Sequence, residues 1–423
     1  MNKIIKVAGL LAAGAAMSSV GVSAAEGGNK VYTLNAGLRG FYDDNIFTGN
    51  NKVDLGGNGT PDRRKFGSFG FEVTPGVQFN VPLEQSLVTV GVTYGLRYYE
   101  DRPGRAYDQF LLADAKLNHT FSERYSIAVF DSFAWAQEPS QLNPSVGTLQ
   151  QVLRAEGDNI RNTAGFDFTA TLTPLWSAVV GYRSTVFDYK TEQYKLFLNR
   201  MENTPSLSLR YQLSRQTVLS GNYQFNDSNY DFTNTINDGS GNLTVYDRDA
   251  RSQYVFGGVD HSFSQRLSGA VRVGAQFIDW IHATAGYRSS AVNPYADASL
   301  TYAYATGSNV QLGVRHGRNA TDLAGVLDQE STLLYGSVNH QITGALRASL
   351  VGQYQNAKFV GIARNSGADG IAEDFVSLGA TLSYRLNTYL STEASYYFDN
   401  LSSGVNFREY TRNRVFVGLR ATY

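Results

Sequence analysis

Ten basic residues recur at alternate positions along the chain, each within a run whose other members on that face are small or polar: Arg39, Arg97, Lys116, Arg183, Arg210, Arg272, Arg315, Arg347, Arg414 and Arg420. Five acids, Glu72, Asp114, Asp167, Asp297 and Glu393, occupy equivalent positions. Clustered cations of this kind can raise the local concentration of anions and lower the barrier to their passage. They can equally fill an interior by pairing with the acids and with tyrosine hydroxyls, and both readings stand. Asp43-Asp44-Asn45, with Asp54 nearby, offers hard oxygen ligands suited to calcium. It lacks the Asp-x-Asp-x-Asp-Gly spacing of an EF-hand loop, so a solvated loop or an Asx-capped turn competes with that reading. The five histidines make no metal pattern. His119, His261 and His340 share one repeat position, and His282 and His316 have no evident serine and acid to complete a nucleophilic site. There is no cysteine, which excludes a disulfide framework and a thiolate metal centre. No catalytic residue, cofactor or metal is expected.

The element that could hold such charges is a strand. Val88, Val90, Val92, Tyr94, Leu96 and Tyr98 alternate with Thr89, Gly91, Thr93, Gly95 and Arg97. Leu207, Leu209, Tyr211 and Leu213 alternate with Ser206, Ser208, Arg210 and Gln212, and the pattern repeats from Val376 to Tyr384. Each run has one apolar face and one small or polar face. Short turns at 82–85, 122–125, 173–176, 214–217, 264–267, 306–309, 343–346 and 387–390 alternate with longer loops around 43–65, 137–160, 229–249 and 359–373. A unit of Leu117-Asn118-His119-Thr120-Phe121-Ser122 returns as Val259-Asp260-His261-Ser262-Phe263-Ser264 and Val338-Asn339-His340-Gln341-Ile342-Thr343. Two long strands per unit argue for a barrel rather than propeller blades.

The first residues set the compartment. Lys3 and Lys6 precede an apolar run, Val7 to Met17, and Val22-Ser23-Ala24 fits a small-residue cleavage site, with Ser23-Ala24-Ala25 as the alternative. Residues 1–24 therefore read as a signal peptide and 25–423 as one domain. The apolar run is too short to span as a helix, and nothing later reaches the length of a membrane helix. The expected fold is all-β: a transmembrane antiparallel up-and-down β-barrel of about 18 strands in the bacterial outer membrane, with both termini periplasmic and the long loops extracellular. Charges on the lipid face would cost roughly 2–4 kcal/mol near the midplane, so the ten cations and five acids are expected to point inward. That is an inward excess of positive charge in a chain whose net charge is −1.

Aromatic residues reach 13%, with 27 Tyr and 24 Phe. Tyr98, Tyr99, Phe121, Tyr125, Trp176, Phe263, Tyr302, Tyr304, Tyr389 and Tyr423 fall near strand ends, where such rings form interfacial girdles. Tyr223, Tyr396 and Phe416 are alternatives that could face inward and stack on sugars. In the last segment Val415, Val417, Leu419, Ala421 and Tyr423 share a face, and a strand ending on an aromatic residue with Gly418 five positions earlier resembles the signal read by barrel assembly machinery. Gly418, Ala421 and Tyr423 carry that resemblance, although Phe416 stands where the signal usually has a polar residue.

Gly40-Phe41-Tyr42-Asp43-Asp44-Asn45-Ile46-Phe47 resembles the signature of a β-barrel porin family often encoded among exopolysaccharide synthesis and export genes. Val73-Thr74-Pro75-Gly76-Val77 and the Phe-Ser-x-Arg turns at 121–124 and 263–266 fit the same family. The resemblance implies an outer-membrane pore associated with an extracellular, anionic polysaccharide. Its partners would be outer-membrane lipid, assembly machinery, the polysaccharide and periplasmic export components; nucleic acid is not among them. A general anion-preferring diffusion porin and a structural or adhesive barrel closed by its loops are the competing functions.

Overall fold

The computed structural model describes residues 31–50, 65–137, 158–191, 194–195, 198–231, 234–237, 243–246, 248–281, 288–323, 326–361, 369–405 and 408–423. The expected signal peptide and its cleavage point, Asp54, His282 and most of the 137–160 loop lie outside the described residues.

In chain order the strands are β1 (Tyr32–Asp43), β2 (Ser68–Pro82), β3 (Ser86–Tyr99), β4 (Tyr107–Thr120), β5 (Tyr125–Ala136), β6 (Asn159–Thr171) and β7 (Trp176–Tyr189). They continue with β8 (Arg200–Ser214), β9 (Thr217–Tyr230), β10 (Asn234–Asn237), β11 (Leu243–Tyr246), β12 (Ala250–Ser262), β13 (Leu267–Trp280) and β14 (Ser290–Ala305). The last are β15 (Ser308–Asn319), β16 (Val326–Gln341), β17 (Leu346–Gly361), β18 (Ala372–Arg385), β19 (Leu390–Ser403) and β20 (Tyr410–Thr422). All but the small β10–β11 hairpin join one 18-stranded sheet, in which each strand pairs antiparallel with the next and β9 pairs with β12. The sheet closes because β1 pairs with β20 as well as with β2, in register from Asn35 opposite Thr422 to Asp43 opposite Arg414. The chain is therefore a closed antiparallel barrel with the strand number that its turns imply. Closure leaves no open edge of N–H and C=O groups, which is what lets strands cross lipid.

The apolar face of each strand is the outer one. Leu38, Val271, Val273, Leu350, Leu378 and Val417 are each half or more exposed, while Ser377, Phe416 and Arg414 on the alternate face are buried. Side chains close several of the short turns at one end. Thr173 Oγ1 accepts the Trp176 N–H at 3.0 Å, Thr343 Oγ1 the Leu346 N–H at 3.0 Å, and Asn387 Oδ1 the Leu390 N–H at 2.9 Å. Gly307 takes a φ of 71° in the β14–β15 turn, where a side chain would be strained.

An aromatic girdle surrounds this short-turn end. Phe121, Tyr125, Trp176, Phe263, Tyr302, Tyr389 and Tyr423 are all exposed on the outer face. The repeated histidines belong to it. His119 meets Phe121 edge-on and hydrogen-bonds Ser86 at 2.7 Å; His261 does the same with Phe263 and with Thr217 at 2.9 Å. His340 bonds the Tyr304 hydroxyl at 2.8 Å. Each imidazole fastens its strand to a neighbour and also meets an aromatic ring, edge-on for His119 and His261 and stacked on Tyr304 for His340. Tyr98 is on the outer face as expected, but its neighbour Tyr99 is not: it is wholly buried inside, edge-on to Phe41 at 5.2 Å. Period-2 alternation sends adjacent residues to opposite faces, so the two could not share a girdle.

Candidate functional site

All ten basic positions named above, and the five acids, lie on the inner face. The inner wall also carries Arg161, Arg200, Arg385 and Arg412, together with Asp43, Asp108, Glu202, Asp260, Glu373 and Asp399. More acids than bases were hidden, at strand ends and in less regular runs, so the inward positive excess is smaller than alternation in the clearest strands suggests.

Charge is distributed unevenly around the wall. Where β19 and β20 meet β1, β2 and β3, it is neutralised locally. Glu72 sits at the centre, almost fully buried, and accepts from Arg97 Nε at 2.9 Å and Nη2 at 2.6 Å and from Arg39 Nε at 3.1 Å. Arg39 also reaches Glu393 at 3.3 Å, and Arg420 approaches the same carboxylate at 3.5 Å. Arg414 pairs with Asp399 at 2.5 Å, and Ser377 Oγ donates to the other Asp399 oxygen at 2.6 Å. Beneath this network Phe416 and Phe41 pack with ring centres 5.6 Å apart, with the Arg39 guanidinium 4.7 Å over Phe416. The aromatic platform and the bidentate carboxylates hold these arginines in fixed positions. A second neutral group spans β12 to β15, where Asp260 and Asp297 flank Arg272 at 3.0 and 4.0 Å and Asp297 accepts Arg315 Nε at 2.8 Å.

The β4–β8 wall differs. Across one row of paired residues stand Lys116, Phe130, Gly165 and Arg183, and the Arg183 guanidinium lies 5.4 Å over the Phe130 ring. Gly165 leaves room for that ring, which would come within 2.7 Å of a Cβ there. Arg210 stands on β8 and Asp167 on β6, on the same inner face. Among the described residues neither Lys116 nor Arg210 forms an ion pair. Ser206, Ser208, Ser220 and Asn222 continue the polar surface along β8 and β9. Asp114 stands one inward position from Lys116, so the charges of this wall nearly balance, as they do at the seam; what sets it apart is a hydroxyl-rich surface on which Lys116 and Arg210 stand outside ion pairs. Arg347 is held by Gln341 Oε1 at 3.0 Å.

At the long-loop end the chain folds over the mouth. Thr321, Asp322, Val326 and Leu327 are buried between β15 and β16. Arg248 donates to the Thr321 carbonyl at 2.8 Å and to the Leu327 carbonyl at 3.2 Å, and Leu327 packs on Ile278, Trp280 and Val360. Arg408, from the β19–β20 loop, pairs with Asp322 and with Glu373, both at 2.9 Å. Burial opposes its charge, but the two carboxylates outweigh it and hold the guanidinium protonated beyond the ordinary arginine range. Arg288 pairs with Asp369 at 2.8 Å. The long loops are thus bound to one another by buried ion pairs. None of this is legible in the sequence, because the partners lie 35 to 86 residues apart.

The Asp43-Asp44-Asn45 cluster spends its oxygens on the protein. Asp43 takes Arg412 Nε at 3.0 Å, Asp44 takes the Asn413 N–H at 2.6 Å and its amide at 2.8 Å, and Asn45 bridges Gly49 and the Thr411 carbonyl. Ile46 then enters the Phe41–Tyr99–Phe416 cluster. The motif is a clasp that turns the chain inward and ties the first strand to the last. Of the aromatics proposed to face inward, Phe416 does so. Tyr223 and Tyr396 do not: both are over 40% exposed on the outer face, beside Val255 and Val415. His316 is also on the outer face, bonded to Thr332 at 2.9 Å.

Residues 234–423 match the model of a protein family described as "Putative beta-barrel porin 2". No curated protein sequence matches the chain. Among solved structures, OccK2 (OpdF) of Pseudomonas aeruginosa in complex with glucuronate is 11% identical, with a TM-score of 0.45, over 92% of this chain and 98% of that one. A BenF-like porin from Pseudomonas fluorescens Pf-5 is 11% identical, with a TM-score of 0.45, over 94% of this chain and all of that one. OccAB4 of Acinetobacter baumannii is 11% identical, with a TM-score of 0.42, over 94% and 99%. With a closed barrel, an apolar outer belt and a family match of channel type rather than enzymatic type, the chain is a porin-like β-barrel of the bacterial outer membrane whose C-terminal region matches the model of the family described as "Putative beta-barrel porin 2".

Proposed function

We propose that the chain is an anion-preferring pore through which an extracellular, anionic polysaccharide passes, with long loops outside and both termini in the periplasm. The observation that carries this reading is the β4–β8 wall, where among the described residues Lys116 and Arg210 form no ion pair, while the cations of the seam wall are matched by carboxylates. Lys116 and Arg210 can therefore engage a passing carboxylate or sulfate, and neighbouring hydroxyls can follow its sugar ring. The loops bound across the mouth favour restricted passage over general diffusion, and they must part for a polymer. On the same reading, periplasmic export components deliver the glycan, and Gly418, Ala421 and Tyr423 are what assembly machinery engages.

The test is planar-bilayer recording in a salt gradient. Wild type is expected to prefer anions, and replacing both Lys116 and Arg210 with Gln is expected to weaken that preference without loss of folded barrel, since lumen substitutions tune selectivity more than stability. The difference should fade as the screening length falls from about 10 Å at 0.1 M salt to about 3 Å at 1 M. A polyuronate should block the current and neutral dextran of equal length should not. Equal block by both would favour a general diffusion porin, a cation-selective wild type would sink the anionic substrate, and absence of conductance would leave a structural barrel.

A further inference from the structure

Asp131 breaks the rule that keeps charge off the outer face. The outward residues of β5 run Tyr125, Ile127, Val129, Asp131, Phe133 and Trp135, so the carboxylate has apolar neighbours on both sides, midway along its strand. Other outward charges, such as Arg251 with Asp227 and Lys190 with Asp188, stand in pairs near the long-loop ends of strands, where hydrocarbon gives way to headgroups and water. Among the described residues Asp131 has one polar contact, from Asn162 Nδ2 to its Oδ2 at 3.1 Å, and no cation. Asn162 Oδ1 is shielded and lacks a hydrogen-bond partner. The residues beside Asp131 in the sheet are Ala115 on β4 and Ala164 on β6, followed by Ser184 on β7. Their small size leaves a shallow depression of about 460 Å³ in the outer surface, rimmed by Leu117, Val129, Phe166 and Tyr182. A carboxylate partly exposed to lipid at this depth is costly unless something donates to it, and ionisable groups inside a membrane ordinarily mark function.

We propose that this face is where two copies of the chain pack side by side in the membrane as a two-fold dimer. The patch contains both an acceptor, Asp131, and a donor, the hydroxyl of Ser184, which makes it complementary to itself; the Tyr182 hydroxyl already donates to Asn203 Oδ1 at 2.7 Å. A two-fold axis along the membrane normal through Ala164 sets β5 of one copy against β7 of the other. Asp131 then faces the partner's Ser184, and the reciprocal contact forms at the same time, as an isologous interface requires. Ala115 and Ala164 allow the two sheets to approach closely, and the surrounding aromatic rings exclude lipid. The lumen plays no part, so this interface stands whether or not the pore reading does.

The chain has no cysteine, so one introduced thiol reports on its own surroundings. In intact outer membranes, Ala164→Cys is expected to form a disulfide-linked dimer under copper-catalysed air oxidation, two thiols giving up two protons and two electrons to dioxygen. Val271→Cys, on β13 far round the barrel, should remain monomeric. Adding Asp131→Leu to Ala164→Cys should lower the cross-linked fraction about tenfold, the scale of losing charge-assisted hydrogen bonds. The unheated gel mobility of that variant shows whether its barrel is folded. Monomeric Ala164→Cys, equal cross-linking at Val271→Cys, indifference to Asp131→Leu in a folded barrel, or a trimer by native mass measurement would each overturn the proposal.

Discussion

Replacing Asp43 with alanine is expected to destabilise the folded barrel by about 3–5 kcal/mol, the usual loss when a buried ion pair is broken from one side. Asp43 and Arg412 are both buried at the seam and joined by a forked contact, with Nε 3.0 Å from each carboxylate oxygen. Asp43 Oδ1 also accepts the Asn45 N–H at 3.0 Å, so its removal loosens the turn that carries Ile46 into the aromatic cluster. The contact bridges 369 residues, and it acts where the sheet must close on itself. Asp43→Asn keeps an acceptor but not the charge, and should fall between wild type and Asp43→Ala. Asp43→Leu combined with Arg412→Leu should recover much of the loss, because neither charge is then buried without the other. Urea unfolding in lipid vesicles, followed by tryptophan fluorescence and by unheated gel mobility, measures the series. A loss below about 1 kcal/mol for Asp43→Ala, in the range of exposed ion pairs, would show that water reaches the clasp.

The strands and short turns were readable because lipid imposes a simple rule. A residue is either apolar and outward or free to be polar and inward, and a two-residue period carries that choice along each strand. The rule placed Arg97, Arg210, Arg315 and their companions on the inner wall. It could not say which of them are paired, since Glu72 meets Arg39 and Arg97 from strands on either side, and sheet register is not written in either strand alone. The clasp motif was visible as residue types, but its meaning lay in Arg412 and Asn413, at the far end of the chain. The roof over the mouth depends on contacts between loops and had no local signature. Sequence reading failed on Tyr99 because a preference for strand-end position overrode alternation, and alternation likewise decides against the inward alternative for Tyr223 and Tyr396. Asp131 was equally visible, a charge in an apolar series, and its meaning appeared only with its lateral neighbours.

Replacing Tyr423 with aspartate, or deleting it, is expected to cut assembled outer-membrane protein to a small fraction of wild type, with the remainder degraded in the periplasm. The structure shows how little Tyr423 contributes to the finished barrel. Its backbone exchanges two hydrogen bonds of 2.9 Å with Leu34 across the seam, and its ring stacks on Tyr389 at 6.0 Å on the outer face. An aromatic pair of this kind is worth about 0.5–1.5 kcal/mol beyond its buried area, too little to prevent a barrel of 18 paired strands from forming. A large loss in cells must therefore arise before closure, while β20 is still an open edge. Gly418 provides the contrast. A Cβ there would lie 2.3 Å from the Leu38 carbonyl oxygen and 2.6 Å from Arg39 Cγ, so Gly418→Val strains the closed seam itself. Purified from inclusion bodies and refolded in detergent, Tyr423→Asp should reach a heat-modifiable barrel in good yield, while Gly418→Val should fail both there and in cells. Tyr423→Phe should assemble normally, since the ring remains. If Tyr423→Asp refolds as poorly in detergent as it assembles in cells, the terminal residue acts through the seam and not through recognition of the last strand.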